Sequence, residues 1–297
     1  MKTSALIALA SVLGASAAPT FKRTDGPTDT QILQYALTLE HLENKFYSDA
    51  LAMFSEDDFA AAGLPDWVRG RLSQVASHEQ SHVDLLSGAL GNDAVQPCNY
   101  KFPYTDVNSF ISLAHLIENV GTSAYLGAAQ YITDKTYLTV AGSILTVEAR
   151  HQSWQSSSVL KQQPWQGPYD TPLGLNQVYT IASAFIESCP DSNAALPVKA
   201  FGALAVTGNP GDNVQFTFDD PHTTTNYAIF YSGLGMTAVQ LDENDYATIP
   251  SNLQGIYYVV ISTSGDVTKV SDDNIVAGPA ILEAPFDAWT ENPAFSG

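Results

Sequence analysis

One pattern constrains the fold of this chain more than any other. Glu79-Gln80-Ser81-His82 recurs as Glu148-Ala149-Arg150-His151, and a lone glutamate precedes each copy, Glu40 and Glu118. Tyr47 follows Glu40 at the same interval at which Tyr125 follows Glu118. On a helix, Glu79 and His82 share a face with Val68, Leu72, Val75, Val83 and Leu86. Glu40 lies in line with Leu33, Ala36 and Leu37, Glu118 with Phe110, Ile111 and Ala114, and Glu148 with Tyr137, Ala141, Ile144 and Leu145. Burying a carboxylate or an imidazole among such residues is costly unless something pairs with it. A repeated set of core-facing acids therefore demands a partner in the core.

Periodicity predicts five helices. The first runs from a Thr28/Gln31 capping box through QILQYALTLEHLENKFYSDALAMF; after a short SEDDFAAAG turn, Pro65-Asp66 opens the second, to about Leu90. GNDAVQPCNYKFPYTDVN is a long connection without a helical pattern. SFISLAHLIENVGTSAYLGAAQYI and KTYLTVAGSILTVEARHQSWQSS form the third and fourth helices, and LNQVYTIASAFIES the fifth. Glu and His three residues apart reach a common centre. One Glu from each of two helices and a Glu-x-x-His from each of the other two, with one long crossover, is the ligand set of a carboxylate-bridged metal pair in a four-helix bundle. Charge agrees, because two divalent cations neutralise four carboxylates, whereas an empty cluster has to take up protons. The candidate metal ligands are Glu40, Glu79, His82, Glu118, Glu148 and His151. Oxygen-rich ligation suits two iron or manganese ions, with dioxygen or peroxide as the small partner.

The neighbours of these residues admit more than one reading. Glu43 competes with Glu40 for the first-helix position, but its counterpart in the third helix is Gly121. It is therefore read as a solvated acid or as a hydrogen-bond partner behind the ligands. Tyr47 and Tyr125 read first as packing, and second as groups that hydrogen-bond a ligand or donate an electron. His115, one turn before Glu118, is either a partner of a ligand or a satisfied core or interface histidine. His41 and His78 lie off the ligand face and read as surface residues.

The segment MKTSALIALASVLGASAAPTFKR has a basic start, a short apolar run and the small-x-small site Ala15-Ser16-Ala17. It reads as a secretory signal peptide over 1–17, with a propeptide over 18–23 that ends at Lys22-Arg23. Neither this run nor any later one is long enough to span a membrane. The expected location is extracellular, with association to a cell wall left open. In an oxidising compartment the two cysteines, Cys98 and Cys189, are expected to form a disulfide. A formal charge of −19 disfavours nucleic acid as a partner. Near residue 190 the composition changes to short β-branched and aromatic runs separated by turn signals such as Asn209-Pro210-Gly211-Asp212. Roughly seven strands predict a small immunoglobulin-like β-sandwich over 195–297, giving an α+β chain with separate domains.

LTLEHLENKFY, SHEQSHVDLL, LIENVGTSAYLGAA, ILTVEARHQSW and SAFIESCP carry a resemblance. Residues 27–190 resemble the ferritin-like domain of secreted fungal stress-response and sexual-development proteins, related to plant desiccation-associated proteins. The resemblance implies a ferritin-like four-helix bundle with a fifth helix added, and places the six candidate ligands at its di-metal positions. It implies no defined reaction. Two functions stand in competition. In one, a di-metal oxidoreductase oxidises ferrous iron or disproportionates peroxide in a stress or developmental setting. In the other, a non-catalytic stress-protective or cell-wall-associated protein uses any metal only to hold the bundle together.

Overall fold

Helices begin where a side chain can hold their first free backbone amides. In the computed structural model, which describes residues 26–219 and 225–291, α1 (Asp29–Met53) starts at the expected Thr28/Gln31 capping box. The expected signal peptide and propeptide lie outside the described residues. A second box, Ser55 with Asp58, nucleates α2 (Glu56–Ala61) inside the segment expected to be a plain turn. Then come α3 (Trp67–Leu90), β1 (Asn99–Tyr100), α4 (Val107–Ala128), α5 (Lys135–Trp154) and α6 (Leu175–Ser183). Asp106 and Asp134 cap α4 and α5 through their side chains, each such cap contributing about 1 kcal/mol. Asp29 accepts hydrogen bonds from Thr133 N, Thr133 Oγ1 and Asp134 N at 2.6–2.9 Å, clasping the start of α1 to the α4–α5 turn. No helix among the described residues is long and apolar enough to cross a membrane.

α1 lies along α3, and α4 along α5. The connection between these two hairpins is ordered by its aromatic residues rather than by helix. Tyr100, Phe102 and Tyr104 stack in series at 5.9 and 6.0 Å, and Phe46 meets Phe102 and Tyr104 edge-on. The Cys98–Cys189 disulfide pins the same connection to the end of the helical half. In the chain-entropy account a loop of this length contributes about 4 kcal/mol. Here the expected fifth helix is corrected. It stops at Ser183, and β2 (Ile186–Ser188) pairs antiparallel with β1. The disulfide one residue beyond β2 draws the segment into that ladder.

The strand-rich region follows as small antiparallel sheets. β3 (Leu204–Ala205) pairs with β5 (Thr217–Phe218), and β4 (Asn213–Gln215) with β8 (Tyr246–Thr248). β6 (Tyr227–Ser232), β7 (Gly235–Gln240), β9 (Gly255–Ser262) and β10 (Ile275–Ala284) form a four-stranded sheet in the order β10-β9-β6-β7. All of β9 is buried, on both faces. Tyr257, Val259 and Ile261 pack with Phe216, Phe230 and Ile249 among the strands. Ile256 and Tyr258 pack with Ile32, Tyr35, Val120 and Ala124 of the helices. The Tyr258 hydroxyl accepts a bond from Asn119 Nδ2 at 2.6 Å and shares another with Ser123 Oγ at 3.0 Å, both on α4. The sheet thus braces the helix that carries Glu118.

One crossing is tight enough to test. Leu173 N donates to Ser123 O at 3.2 Å as its strand of loop passes over α4. A Cβ at Gly127 would stand 1.7 Å from Leu173 O. Gly127→Ala is expected to destabilise by about 1–3 kcal/mol or more, lowering the melting temperature by roughly 3–10 °C. A variant melting with the wild type would contradict the close approach.

Candidate metal centre

The four long helices each turn an acid inward. Glu40 on α1 and Glu118 on α4 are 1% exposed, and Glu79 on α3 and Glu148 on α5 are 0% exposed. His82 and His151 follow one turn after Glu79 and Glu148 and are also buried. The six candidate ligands gather in two overlapping quartets: Glu40, Glu79, His82 and Glu148, and Glu79, Glu118, Glu148 and His151. Within each quartet, one ligand-capable atom from every residue lies within 4.8 Å of the others. Glu79 and Glu148 belong to both.

The geometry has a crosswise symmetry. His82 Nδ1 lies 3.2 Å from Glu40 Oε2, 3.1 Å from Glu79 Oε2 and 3.4 Å from Glu148 Oε1. His151 Nδ1 lies 3.2 Å from Glu118 Oε2 and 3.3 Å from Glu79 Oε1. The Tyr47 hydroxyl of α1 donates to Glu118 of α4, and the Tyr125 hydroxyl of α4 donates to Glu40 of α1. Both tyrosines therefore hold a candidate ligand, the second of the two readings open to them. Burial, then the nearby Glu118 or Glu40, pushes their pKa well above 10.0, so they remain donors.

Electrostatics report a cluster short of positive charge. Burial raises Glu40 to about 7, against the opposing pull of His82. Burial and then repulsion from Glu79 and Glu118 hold Glu148 well above the usual carboxylate range, and burial raises Glu118 as well. Burial pushes Glu79 upward too, but His151 and His82 outweigh it and hold its carboxyl low. Burial alone would lower His82; bonds to Glu148, Glu40 and Glu79 instead raise it to about 12. His151 is raised to about 10, its neighbours Glu118 and Glu79 overcoming burial. Even so, Glu79 Oε1 and both oxygens of Glu148 are buried without a well-formed hydrogen bond. Leaving such acceptors unmet costs about 1–3 kcal/mol each. They belong to the two residues that both quartets share, so divalent cations fit the donor set at the oxygens that are least well bonded.

The surrounding residues sort themselves against expectation. His78 is exposed, as expected of a surface residue, yet its ring stacks on His151 at 5.2 Å with Nδ1 2.9 Å from His151 Nε2. That contact sets the outward nitrogen of a candidate ligand, the kind of support metal-binding histidines use. Gln155, in the π-helical turn 155–159 after α5, donates to the Tyr47 hydroxyl at 2.7 Å. His115 bonds Gln152 Nε2 through Nδ1 at 3.2 Å and Glu283 of β10 through Nε2 at 3.1 Å, making it an interface histidine. His41 bonds the Val95 carbonyl at 3.0 Å, away from the cluster. Glu43 is 6% exposed, not solvated, and burial followed by repulsion from Glu148 raises its pKa well above the carboxylate norm. Gly121 makes room for it. A Cβ there would lie 2.7 Å from Glu148 Oε2 and 2.9 Å from Glu43 Oε1. Gly121→Ala is expected to displace Glu148 and weaken metal uptake tenfold or more, the scale of losing ligand support. Titration with manganese followed by calorimetry checks this; an unchanged affinity would contradict the crowding.

Residues 28–161 match the sequence profile of the ferritin-like domain family. They form a ferritin-like domain. Its four long helices and its buried carboxylate–histidine cluster agree with the match. Protein rds1 of Schizosaccharomyces pombe is 26% identical over 184 residues, covering 61% of this chain and 45% of that protein. The chain therefore spans less than half the length of this curated relative. Beyond the ferritin-like domain, the alpha-to-beta change of composition matches the strand-rich region described above.

Proposed function

We propose that the ferritin-like domain holds two divalent metal ions, iron or manganese, and acts as a di-metal oxidoreductase. Glu40 and His82 would hold one ion, Glu118 and His151 the other, with Glu79 and Glu148 shared between them. Bound there, such a pair supplies two-electron exchange with dioxygen or peroxide, the chemistry of ferrous oxidation and of peroxide disproportionation. The chain's own residues do the rest. Tyr125 and Tyr47 fix the outer carboxylates Glu40 and Glu118. His78, exposed at its edge, connects His151 to the surface and offers a path for protons. The observation that carries the reading is that Glu79 and Glu148 sit in both quartets and bear the buried oxygens without a well-formed hydrogen bond.

The test is ferrous oxidation and peroxide loss by loaded protein beside Glu79→Ala/Glu148→Ala. Turnover confined to the intact protein supports the reading. Retention of a tightly bound metal pair without either activity favours a non-catalytic stress-protective or wall-associated protein, a reading to which the depth of the cluster lends support. The leader-like start supports, as part of this proposal, a protein secreted in a stress or developmental setting. Residues 27–190 and 195–297 are proposed as its two domains, the second an immunoglobulin-like sandwich in which the short ladders cover the four-stranded sheet. Amino-terminal sequencing of protein from the medium, beginning near Thr24, supports secretion; an intact Met1 contradicts it.

A further inference from the structure

Between α1, α4, α6 and β10 lies a cleft that opens to solvent and encloses about 50 Å³. Half-buried Leu113, Leu116, Ile181, Phe185 and Ile281 line its outer part, and buried Leu42, Ile117 and Val120 its inner part. A second, smaller lobe shares Leu39, Glu43 and Gly121 with the first and continues to Glu40 and Tyr125. The two lobes therefore meet Glu43 from either side, beside the carboxylate–histidine cluster.

Glu43 is the one polar side chain of the larger lobe. It is 6% exposed and makes no hydrogen bond with any described residue, yet it borders open space on both sides. Gly121 keeps that space open, since a side chain there would press on Glu43. Apolar walls with a single placed polar group suit small organic molecules. The walls offer nothing to an ion, and the volume excludes a macromolecular segment. The neighbouring carboxylates also oppose an anionic head group.

We propose that this cleft binds a neutral, mostly hydrocarbon molecule with one hydroxyl-type end group, the hydrocarbon filling the outer lobe and the end group hydrogen-bonded to Glu43. Such a molecule would sit with its polar end next to Glu40 and Tyr125. As a substrate class for the cluster this rests on the di-metal reading; as a binding site it does not.

The experiment uses straight-chain primary alcohols from 1-hexanol to 1-decanol, with octanoate as the charged control. Binding to the full chain is measured by calorimetry, metal-free and manganese-loaded. Expected is saturable one-to-one binding that tightens roughly fourfold per added methylene until the cleft is filled, with octanoate at least tenfold weaker than 1-octanol. Leu116→Trp, which fills the outer lobe from a half-buried position, should weaken 1-octanol at least tenfold. Glu43→Leu should weaken it at least fivefold, and unchanged melting of Leu116→Trp keeps the test valid should Glu43→Leu misfold. No saturable binding, or the same binding in Leu116→Trp, overturns the proposal. Alcohol binding by a protein that takes up no metal overturns the di-metal reading and leaves the cleft standing; metal uptake without alcohol binding does the reverse.

Discussion

Anaerobic loading of the metal-free protein with ferrous iron or manganese is expected to raise its melting temperature by roughly 10–30 °C. A ligand that binds only the folded state stabilises it by about 2.7 kcal/mol at a hundredfold excess over Kd and about 4.1 at a thousandfold. Two ions would therefore supply about 5–8 kcal/mol, and a chain of this size moves about 2–4 °C per kcal/mol. The physical source lies in the empty cluster. Four acids from four helices converge where burial and mutual repulsion already keep Glu148 and Glu40 from their ordinary ionisation. The converse is sharper. Glu148→Leu removes two buried acceptors that have no well-formed hydrogen bond, so it should stabilise the metal-free protein by about 1–3 kcal/mol while abolishing the gain from metal. Calorimetry of both proteins, with and without metal, checks the pair of outcomes. A wild type indifferent to metal, or a Glu148→Leu variant that still gains from it, would contradict the assignment.

Metal uptake should also release protons and weaken steeply in acid. At neutral pH the metal-free cluster holds protons on His82 and His151, raised to about 12 and about 10, and on much of Glu40, raised to about 7. Ligation needs neutral imidazoles and charged carboxylates. Because those pKa values are raised, the protons are present below them and have to leave when metal enters, so affinity rises with pH and falls as pH drops. With one imidazole proton displaced by each ion, the apparent Kd of each should weaken about tenfold from pH 7 to pH 6, and the product of the two about 100-fold. Calorimetric titrations in buffers of different ionisation enthalpy count the protons directly. A Kd that does not change between pH 6 and 7 would contradict protonated histidines facing the site.

The two Glu-x-x-His copies and their lone partners were legible because helix spacing alone puts them on apolar faces, and the structure gathers all six. What lay across helices was harder to see. Tyr47 and Tyr125 repeat in sequence, but each holds the glutamate of the other helix, so their hydrogen bonds appear only when α1 meets α4. His78 sits one residue off the ligand face; only the approach of α3 to α5 stacks it on His151. Gln155 did leave a signal, since it interrupts an apolar stripe one turn after His151 where the first copy has Leu86. Of the two readings of Glu43, the solvated one fails, because its neighbour across the core, Gly121, has no side chain to reveal the space they share. In the C-terminal half, β9 lacks the alternation of a half-exposed strand because one face meets strands and the other meets helices. The fifth helix was overextended because nothing local marks Ile186–Ser188 as the partner of a two-residue strand held by a distant disulfide.

The most direct test is metal content per chain by elemental mass spectrometry, on protein purified from its native source and again after anaerobic reloading. It is run beside Glu79→Ala/Glu148→Ala. The account predicts about two iron or manganese ions per chain in the intact protein and almost none in the double variant. No metal in the intact protein after reloading, or equal metal in both, would contradict it.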